Sequence, residues 1–445
     1  MRDPIGPNIP FSPKRSPIYY GWIVVGAATV GIVASIPGQT MGVSVFTDPL
    51  LAATGLSRLG FSNAYLVGTL LSASLLPWAG RMLDRFGVRI GASVAALGLA
   101  LTVFGFAEIE RVIRAVNGAP FVVIAGLFLA VRFSGQGVLT LASRTMIGRW
   151  FERRRGTATA ISGLFVAFSF ALAPRILDAW IAHSGWQGAY REIALVEAFG
   201  MVSLALLLFR EDPESAGLLL DGVSEAEGGR TEVATTRSEA LRTRAFWVLT
   251  LALAWHALVL TGATLHIVDL GAEQALSRTE AVGLFVPMAL VSTSAGAAAG
   301  WLADRMPIRT LLQAFLVATA AGYASLTGLG TTYGYAATAF ALGMSGGLFG
   351  VLPTVGLPRF FGREHLGTIS GASMTAMVVG SALGPSLLAA SRQTLGSYRP
   401  ACLAAAVVPL ALALFTLTPL HPRDHAPGRT TTPPTRPPPT RQSPP

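Results

Sequence analysis

The sequence predicts an all-α, polytopic membrane protein whose twelve membrane-spanning helices form two pseudo-symmetric six-helix halves. Three observations predict this class: the composition, a series of long apolar runs, and an internal repeat. The 445 residues are 52% hydrophobic and 13% charged, and the mean hydropathy is +0.55. Because a soluble domain carries about 25% charged residues, so few charges could not cover a globular surface, and the composition favours a chain surrounded by lipid.

The apolar residues are gathered into runs long enough to cross a bilayer. A spanning helix needs about 20 mostly apolar residues, and the sequence contains twelve such runs. The first run is too long for the apolar core of a signal peptide, so we count it as a helix. The predicted helices are 19–46, 61–81, 88–109, 119–147, 157–182, 191–209, 246–269, 281–303, 307–329, 333–356, 367–391 and 398–419.

Three polar segments divide the chain into regions. Residues 1–18 predict an extended N-terminal arm, and residues 421–445, rich in Pro, Thr and Arg, predict a disordered tail. The one long internal polar stretch, 210–244, contains scattered acidic residues and glycines. We therefore expect an N-terminal bundle over 19–209, a central loop, and a C-terminal bundle over 245–420.

Basic residues are concentrated on alternate loops. One side of the predicted membrane carries far fewer of them than the other, and the positive-inside rule assigns the basic side to the cytoplasm. Both termini and the central loop are then cytoplasmic, as expected for an even number of helices in a plasma or inner membrane. This arrangement explains the net charge of +10 better than nucleic-acid binding does. The basic side has Lys14, Arg15, Arg81, Arg85, Arg89, Arg149, Arg153, Arg154, Arg155, Arg242, Arg244, Arg305, Arg309, Arg359, Arg363, Arg423 and Arg429; the other side has Arg58, Arg111, Arg114, Arg191, Arg278, Arg392 and Arg399.

The chain also repeats itself. Gly156-Thr157 recurs as Gly367-Thr368 at an offset of 211 (367 − 156), so helix 5 corresponds to helix 11. Helix 2 corresponds to helix 8 through a second set of matches at an offset of 220 (300 − 80). Parallel six-helix repeats of this kind characterise one major architecture of secondary transporters. The second set pairs Gly80, Asp84, Arg85 and Arg89 with Gly300, Asp304, Arg305 and Arg309.

The loop after helix 2 reads Gly80, three residues, Asp84-Arg85, one residue, Gly87, one residue and Arg89. This pattern resembles the signature loop of the major facilitator superfamily, and the copy after helix 8 departs from it only in having Pro307 at the second glycine position. The resemblance implies that Asp84 meets the start of helix 11 and Asp304 meets the start of helix 5, which would hold the cytoplasmic side shut. An acidic residue is also stabilised at a helix N-terminus on physical grounds. The alternative is that these loop charges only orient the protein.

The opening of helix 1, with Tyr20-Gly21-Trp22 and later Gly38-Gln39-Thr40, is similar to the monocarboxylate and oxalate–formate exchanger branch of that superfamily. The branch implies a small organic anion as the solute. However, the basic residues that the branch carries in helices 8 and 11 have no counterpart, since 281–303 and 367–391 contain no Arg or Lys.

Several polar side chains fall at membrane depth, where an ionisable group is costly and is a functional candidate by default. Arg132 lies about 13 residues into helix 4, near mid-depth, and its guanidinium could hold a carboxylate through two hydrogen bonds. The alternative is an arginine that pins helix 4 to backbone carbonyls of a neighbour. Its possible partners in a substrate site are Gln39, Thr40, Gln136 and His256.

Three residues are candidates for proton coupling: His256, Glu197 and Asp178. A histidine titrates near neutral pH, although a hydrogen-bonded packing role explains His256 equally well. Asp178 lies three residues after Arg175 on one helix face, so a local ion pair is the favoured interpretation of that pair.

Nothing in the sequence predicts an enzyme, a cofactor or a metal site. The chain lacks a Gly-rich phosphate loop with Lys-Ser/Thr, and no His/Cys/Asp cluster has metal-ligand spacing. We therefore expect a symporter or antiporter that moves a small, monocarboxylate-like anion together with a proton or against a counter-anion. The alternatives are a multidrug or hydrophobic-solute exporter of the same fold, and a non-transporting membrane receptor or scaffold.

Overall fold

The computed structural model describes residues 5–117, 119–221, 235–418 and 420. The disordered tail expected over 421–445 and the middle of the central loop, 222–234, lie outside the described residues. Eleven of the expected spans are helical in the described part, with ends within about five residues of those predicted from the apolar runs. The first span, predicted as one helix over 19–46, was wrong at its end. Its long helix ends at Ala34, and the chain continues through the 3₁₀ turn Ile36–Gly38 into the short helix Thr40–Val45.

The first half contains α1 to α6. The helices α1 to α4 span Gly21–Ala34, Arg58–Phe86, Val88–Ala107 and Pro120–Trp150. The next two follow each other without a loop in the helical stretch Arg155–Leu208. Gly185, with φ 69° and ψ 165°, breaks this stretch into α5 (155–184) and α6 (186–208). The short helices Thr40–Val45, Thr47–Thr54 and Ile109–Ala115 connect the longer ones.

The second half contains α7 to α12, and its connections include the short helices Ile267–Ala272 and Arg278–Gly283. The six long helices span Arg244–Leu265, Phe285–Ala303, Ile308–Ser325, Thr332–Phe361, Leu366–Leu395 and Arg399–Phe415.

The twelve-helix prediction is confirmed. Within the described ranges, nine stretches are long and apolar enough to cross a membrane, and one of these contains both α5 and α6. The shorter apolar helices α1 and α12 complete the set. The sequence prediction placed the start of α6 about five residues too late, because the turn at Gly185 is made without a polar loop.

The repeated residues also fix the helix starts. The Ser57 hydroxyl accepts a hydrogen bond from the Gly60 N–H and caps α2. Ser277, its counterpart at offset 220 (277 − 57), forms a capping box with Glu280 at the start of the helical segment that leads into α8. A serine cap satisfies a backbone N–H that has no partner in the first helical turn.

Both halves begin and end at the same end of the bundle, which we call the terminal face. The Tyr20 hydroxyl at the start of α1 donates to the Leu208 carbonyl at the end of α6, at 2.9 Å. Arg244 at the start of α7 contacts the Thr418 hydroxyl just after α12. The halves pack together mainly through α2 against α11 and α5 against α8.

The described part of the N-terminal arm, residues 5–18, lies on the terminal face of the first half. Two buried arginines hold it through backbone carbonyls. Arg89 donates to the carbonyls of Gly6 and Ile9, and Arg210 donates to that of Pro7 at 3.0 Å. The arm is therefore packed against the bundle over these residues.

Candidate functional site

Asp84, at the end of α2, bonds to the first turn of α11 in the other half. The Gly367 N–H donates to its Oδ1 at 2.9 Å, and the Thr368 N–H donates to its Oδ2 at 2.7 Å. The Thr368 hydroxyl also donates to this carboxylate. An N-terminal helix turn has free N–H groups and a partial positive charge, so it suits an aspartate. We call this contact the Asp84 corner.

Asp304, just after α8, makes the corresponding contact with the start of α5, which we call the Asp304 corner. The Gly156 N–H donates to its Oδ1 at 2.6 Å, and the Thr157 N–H donates to its Oδ2 at 2.8 Å. The Thr157 hydroxyl donates to Oδ2 at 2.6 Å. Asp84 thus meets the start of α11 and Asp304 meets the start of α5, as the resemblance to the signature loop implied.

Glycine is needed at both corners because the helix backbones touch. A Cβ on Gly80 would lie 2.3 Å from the carbonyl oxygen of Gly367, and a Cβ on Gly300 would lie 2.5 Å from that of Gly156. These distances are far below van der Waals contact, and backbone atoms cannot rotate away. The repeated glycines therefore set how closely the two halves approach at the terminal face.

The charges behind the two aspartates differ. In the Asp84 corner, Arg149 at the end of α4 lies 2.7 Å from Asp84 and 3.2 Å from Glu211, and its side chain is only 2% exposed. Glu211 also accepts hydrogen bonds from the backbone N–H groups of Val88 and Arg89. In the Asp304 corner, the nearby cation is Arg359 in the last turn of α10, which lies 4.0 Å from Asp304 and is 19% exposed. The sequence Arg359-Phe360-Phe361 matches Arg149-Trp150-Phe151 at the end of α4.

The four basic residues of the two loops do not bond to the aspartates in the described structure. Arg85 and Arg305 are exposed and stack over Phe86 and Trp301. Arg89 is buried and holds the N-terminal arm and the Leu206 carbonyl, while Arg309 donates to the Leu417 carbonyl. The cation beside Asp84 is instead Arg149, which Glu211 holds in place. The sequence analysis selected neither Arg149 nor Glu211 as a site residue.

One further ion pair connects the halves at the terminal face. Arg363, between α10 and α11, lies 2.7 Å from Glu214 in the segment after α6. The same guanidinium donates to the carbonyl of Arg149 at 2.8 Å. This link joins the C-terminal half to the Asp84 corner.

Arg132 lies deep in α4, at the start of a π-helical segment, Arg132–Leu139. Its guanidinium donates to the Gly38 carbonyl at 3.2 Å and to the Thr40 hydroxyl at 3.4 Å, and it lies over the Tyr65 ring. Its Nε has no partner in the described structure. The first contact is the backbone pin that the sequence analysis left open, and the pin is made where α1 is interrupted at Ile36–Gly38.

The other residues predicted to surround Arg132 are only partly gathered there. The Thr40 hydroxyl bonds to the Tyr65 hydroxyl at 2.9 Å, and Gln39 donates to Ser35. Gln136 lies one helical turn beyond Arg132 on α4 and is partly buried. His256 is fully buried in the other half, where its Nδ1 bonds to the Tyr323 hydroxyl and its ring contacts Phe315 and Phe349. Among the described contacts, His256 therefore touches none of the residues that Arg132 touches.

The acidic candidates differ in burial. Glu197, in the π-helical segment Val196–Met201 of α6, is 3% exposed, and its Oε2 has no partner among the described residues. Asp178 and Arg175 on α5 are both exposed. The expected ion pair between Arg175 and Asp178 is absent from the described contacts, so that prediction was wrong. On a lipid- or water-facing surface the two side chains extend separately.

Arg144, which the sequence analysis did not select, lines a small cavity between the halves. The cavity has a volume of about 30 Å³, which is room for one or two water molecules. Its walls come from α4 in the first half and from α10 and α11 in the second. The lining residues are Leu141, Arg144, Thr145, Pro353, Thr354, Leu357, Pro358, Leu366, Ser370, Ser373, Met374 and Met377.

The two six-helix halves and their two aspartate corners describe the architecture. Comparison with known families identifies the family that has it. The family profile described as Major Facilitator Superfamily matches residues 24–385. The chain belongs to the Major Facilitator Superfamily. It is therefore a membrane transporter by family.

Relatives of this superfamily member cover most of its length. An uncharacterized 38 kDa protein encoded in a 23S RNA operon of Thermoproteus tenax is 27% identical over 359 residues, which are 80% of this chain and 81% of that protein. The proton:xylose symporter XylE, solved with 6-bromo-6-deoxy-D-glucose, matches with a TM-score of 0.62 at 15% identity, over 89% of this chain and 95% of that one.

Another solved structure, that of the human organic anion transporter MFSD10, matches with a TM-score of 0.59 at 13% identity. The match covers 90% of this chain and 99% of the human chain. At these identities the solved structures show that the fold is shared. The major facilitator fold predicted from the sequence is confirmed.

Proposed function

We propose that this transporter moves a small organic anion, of the monocarboxylate kind, across a plasma or inner membrane by alternating access. The observation that carries the proposal is Arg132, a buried cation that contacts a carbonyl, a hydroxyl and a ring but no carboxylate in the described structure. Both termini are proposed to be cytoplasmic, because the basic loops lie on the terminal face.

Alternating access needs one side that closes while the other opens. At the terminal face the halves are joined by the Asp84 and Asp304 corners and by the Arg363–Glu214 pair. We propose that the two corners form the gate of this face. Each corner is a small set of short hydrogen bonds without covalent links, so it can break and reform as the halves rock about their interface.

The charge of Arg132 favours an anion. An arginine removed from water costs several kcal/mol, by the order of magnitude known for buried ions, unless it is well paired. Its present partners are uncharged, and a carboxylate would add the missing negative charge through two parallel N–H···O bonds. The exposed Thr40 and the partly buried Tyr65, whose hydroxyls bond to each other, can supply further hydrogen bonds to such a solute.

We propose Glu197 as the proton-coupling group rather than His256 or Asp178. Glu197 is buried and its Oε2 has no partner among the described residues, so a proton can bind there without breaking an existing contact. Binding and release of a proton at Glu197 would therefore change the electrostatics of the first half. His256 is enclosed by rings in the second half, and Asp178 is exposed, so neither offers the same coupling.

A second candidate, export of a hydrophobic solute, is favoured by one observation. The walls of the cavity that contains Arg144 include Met374, Met377 and Leu357, and methionine adapts to apolar ligands of varied shape. Transport assays with a lipophilic cation such as ethidium would distinguish this candidate from an anion carrier.

The test is uptake of ¹⁴C-labelled acetate, pyruvate, lactate and oxalate by proteoliposomes that contain the purified protein. We expect uptake of at least one carboxylate, and a loss of affinity of about tenfold or more in Arg132→Lys, because lysine cannot form the two-pronged bond. Arg175→Lys, which changes an exposed arginine, is the matched control. No uptake of any carboxylate would reject the proposal, and normal affinity in Arg132→Lys would reject the role of Arg132.

A further inference from the structure

Helix α4 carries a second cation, Arg144, which is partly buried and whose surroundings differ from those of the buried arginines described above. It lies six residues before the end of α4 at Trp150, about 9 Å along the helix axis. It therefore lies within the bundle, just inside the layer of charges at the terminal face. Arg144 is 12 residues beyond Arg132, or about 18 Å along the same helix.

Arg144 has no bonded partner among the residues that the structure describes. Across the described residues, its guanidinium makes no hydrogen bond, ion pair or ring contact, whereas Arg132 and Arg149 on the same helix are both bonded. The part of the cavity wall that the structure describes contains no acidic residue. A cation inside the bundle without a counter-charge is unfavourable, so Arg144 is a candidate for binding an anion.

The neighbouring wall of the cavity supplies hydrogen-bond donors. Thr145 is 2% exposed, and its Oγ1 is buried without a partner. Ser370 on α11 and Thr354 on α10 add two more hydroxyls. A guanidinium beside several hydroxyls matches a carboxylate, which accepts up to four hydrogen bonds.

The walls of the cavity belong to both halves, so the cavity would change in size if the halves moved relative to each other. Arg144 comes from α4, while Thr354 and Ser370 come from α10 and α11. With the Asp84 corner closed, the cavity is only about 30 Å³, which is too small for a solute larger than one or two waters. Separation of the halves at the terminal face would enlarge it and expose Arg144 to that side.

We propose that Arg144 is a second anion-binding residue, which takes the carboxylate of the transported solute on the terminal-face side of the cavity. The inference rests on the proposed anion transport and adds a second binding site to it. Arg132 binds the carboxylate deep in the bundle, and Arg144 binds it just inside the gate. Thr145 and Ser370 orient the carboxylate by donating their hydroxyl hydrogens.

The first experiment separates binding from folding. Arg144→Gln and Arg144→Lys are purified at full length and compared with the wild type by thermal unfolding without added anion. Because Arg144 has no partner in the described part of the chain, Arg144→Gln should unfold at the same or a higher temperature. A clear decrease would show that the guanidinium stabilises the fold and would overturn the inference.

The second experiment measures affinity from each side, using right-side-out and inverted proteoliposomes and ¹⁴C-labelled acetate, pyruvate, lactate and oxalate. From the terminal-face side, Arg144→Lys should raise KM by about tenfold or more, the loss expected for a charge-assisted hydrogen bond. From the opposite side, its KM should change less than that of Arg132→Lys. Arg175→Gln is the control for loss of an unpartnered arginine from a spanning helix.

The outcomes distinguish the two proposals. If the wild type takes up a carboxylate and Arg132→Lys is impaired while Arg144→Lys has a normal KM on both sides, only the role of Arg144 fails. If the wild type takes up no carboxylate, the proposal of anion transport is rejected, and the proposed role of Arg144 is rejected with it. Labelling of Arg144 by phenylglyoxal, followed by mass spectrometry, should be slowed by the transported carboxylate and left unchanged by the same concentration of chloride.

Discussion

The Asp84 and Asp304 corners have the same backbone geometry but different charged surroundings. In each, a carboxylate at the end of one helix accepts two N–H groups and a hydroxyl from the first turn of a helix in the other half. Asp84 has the further support of Arg149 at 2.7 Å, whereas Arg359 is 4.0 Å from Asp304.

The difference arises outside the repeated loop. Glu211 follows α6 and accepts from both the α3 backbone and Arg149, which holds Arg149 against Asp84. After α12, the Leu417 carbonyl accepts from Arg309, as the Leu206 carbonyl at the end of α6 accepts from Arg89. Among the described contacts, no acid that follows α12 pairs with Arg359 as Glu211 pairs with Arg149. The comparison teaches that duplication kept the contact between the halves, while the segments after α6 and α12 set the electrostatic strength of each corner.

The largest loss of stability is expected from removing Arg149, the cation of the Asp84 corner. Arg149→Gln should lower the free energy of unfolding by about 3 kcal/mol, because truncating one partner of a buried ion pair leaves a poorly compensated charge. Arg359→Gln should cost less than about 1 kcal/mol, since that arginine is farther away and partly solvated. Thermal and denaturant unfolding of the purified proteins measures both, and equal losses would remove the distinction between the corners.

The next largest loss of stability is expected from adding a methyl group at the corner glycines. It should be the same in both corners, because it depends only on how closely the backbones approach. Gly80→Ala and Gly300→Ala each place a methyl group against the backbone of the other half. Overpacking of this kind costs about 1–3 kcal/mol. Gly163→Ala on α5, where a Cβ would meet nothing within 4 Å, is the control and should cost nothing. If only one of the two corner variants were destabilised, the shared geometry would not be what holds the halves together.

A smaller loss is expected from the partly exposed pair that links the halves. Glu214→Gln should cost less than about 1 kcal/mol, because Glu214 is 48% exposed and solvent weakens its attraction to Arg363. The effect should shrink further in high salt. Arg363→Gln should cost more, since it also removes the bond to the Arg149 carbonyl. A larger loss for Glu214→Gln than for Arg149→Gln would invert the proposed ranking.

The smallest effect is expected at the opposite end of the bundle, just after α3. The hydrogen bond from Arg191 is the main cause that lowers the pKa of Glu108 below the ordinary value of 4.5. A lowered pKa means that the contribution to stability is complete above pH 4.5 and is lost as the pH falls through the folded value. Unfolding temperatures of the wild type and Glu108→Gln should therefore converge in acid. A difference that persists at low pH would contradict the assignment.

Much of this arrangement could be predicted from the sequence, because it follows from local patterns. Apolar runs predict the helices, and the Gly–Asp spacing that recurs at offset 220 identifies both corner aspartates. The turn at Gly185 was missed because a single glycine with positive φ replaces a polar loop there.

The residues that surround the two aspartates and line the cavity could not be predicted in the same way. Glu211 is one acid among several in a polar segment, and its burial against Arg149 depends on how the chain turns after α6. Arg144 lies within the predicted fourth helix, so a count of charges inside the runs could have found it. Its lack of a partner, however, depends on which residues of α10 and α11 face it, and that is a property of the assembled halves.

The central claim, that the two aspartates hold the terminal face closed and Asp84 does so more strongly, is tested most directly by the accessibility of the cavity behind them. Ser370→Cys, in a Cys402→Ser background, places one thiol in that cavity. Its reaction with a membrane-impermeant thiol reagent added at the terminal face should be slow. The rate should rise modestly with Asp304→Asn, more with Asp84→Asn, and most with both. Unchanged rates in all three variants, or the reverse order of the single variants, would contradict the account.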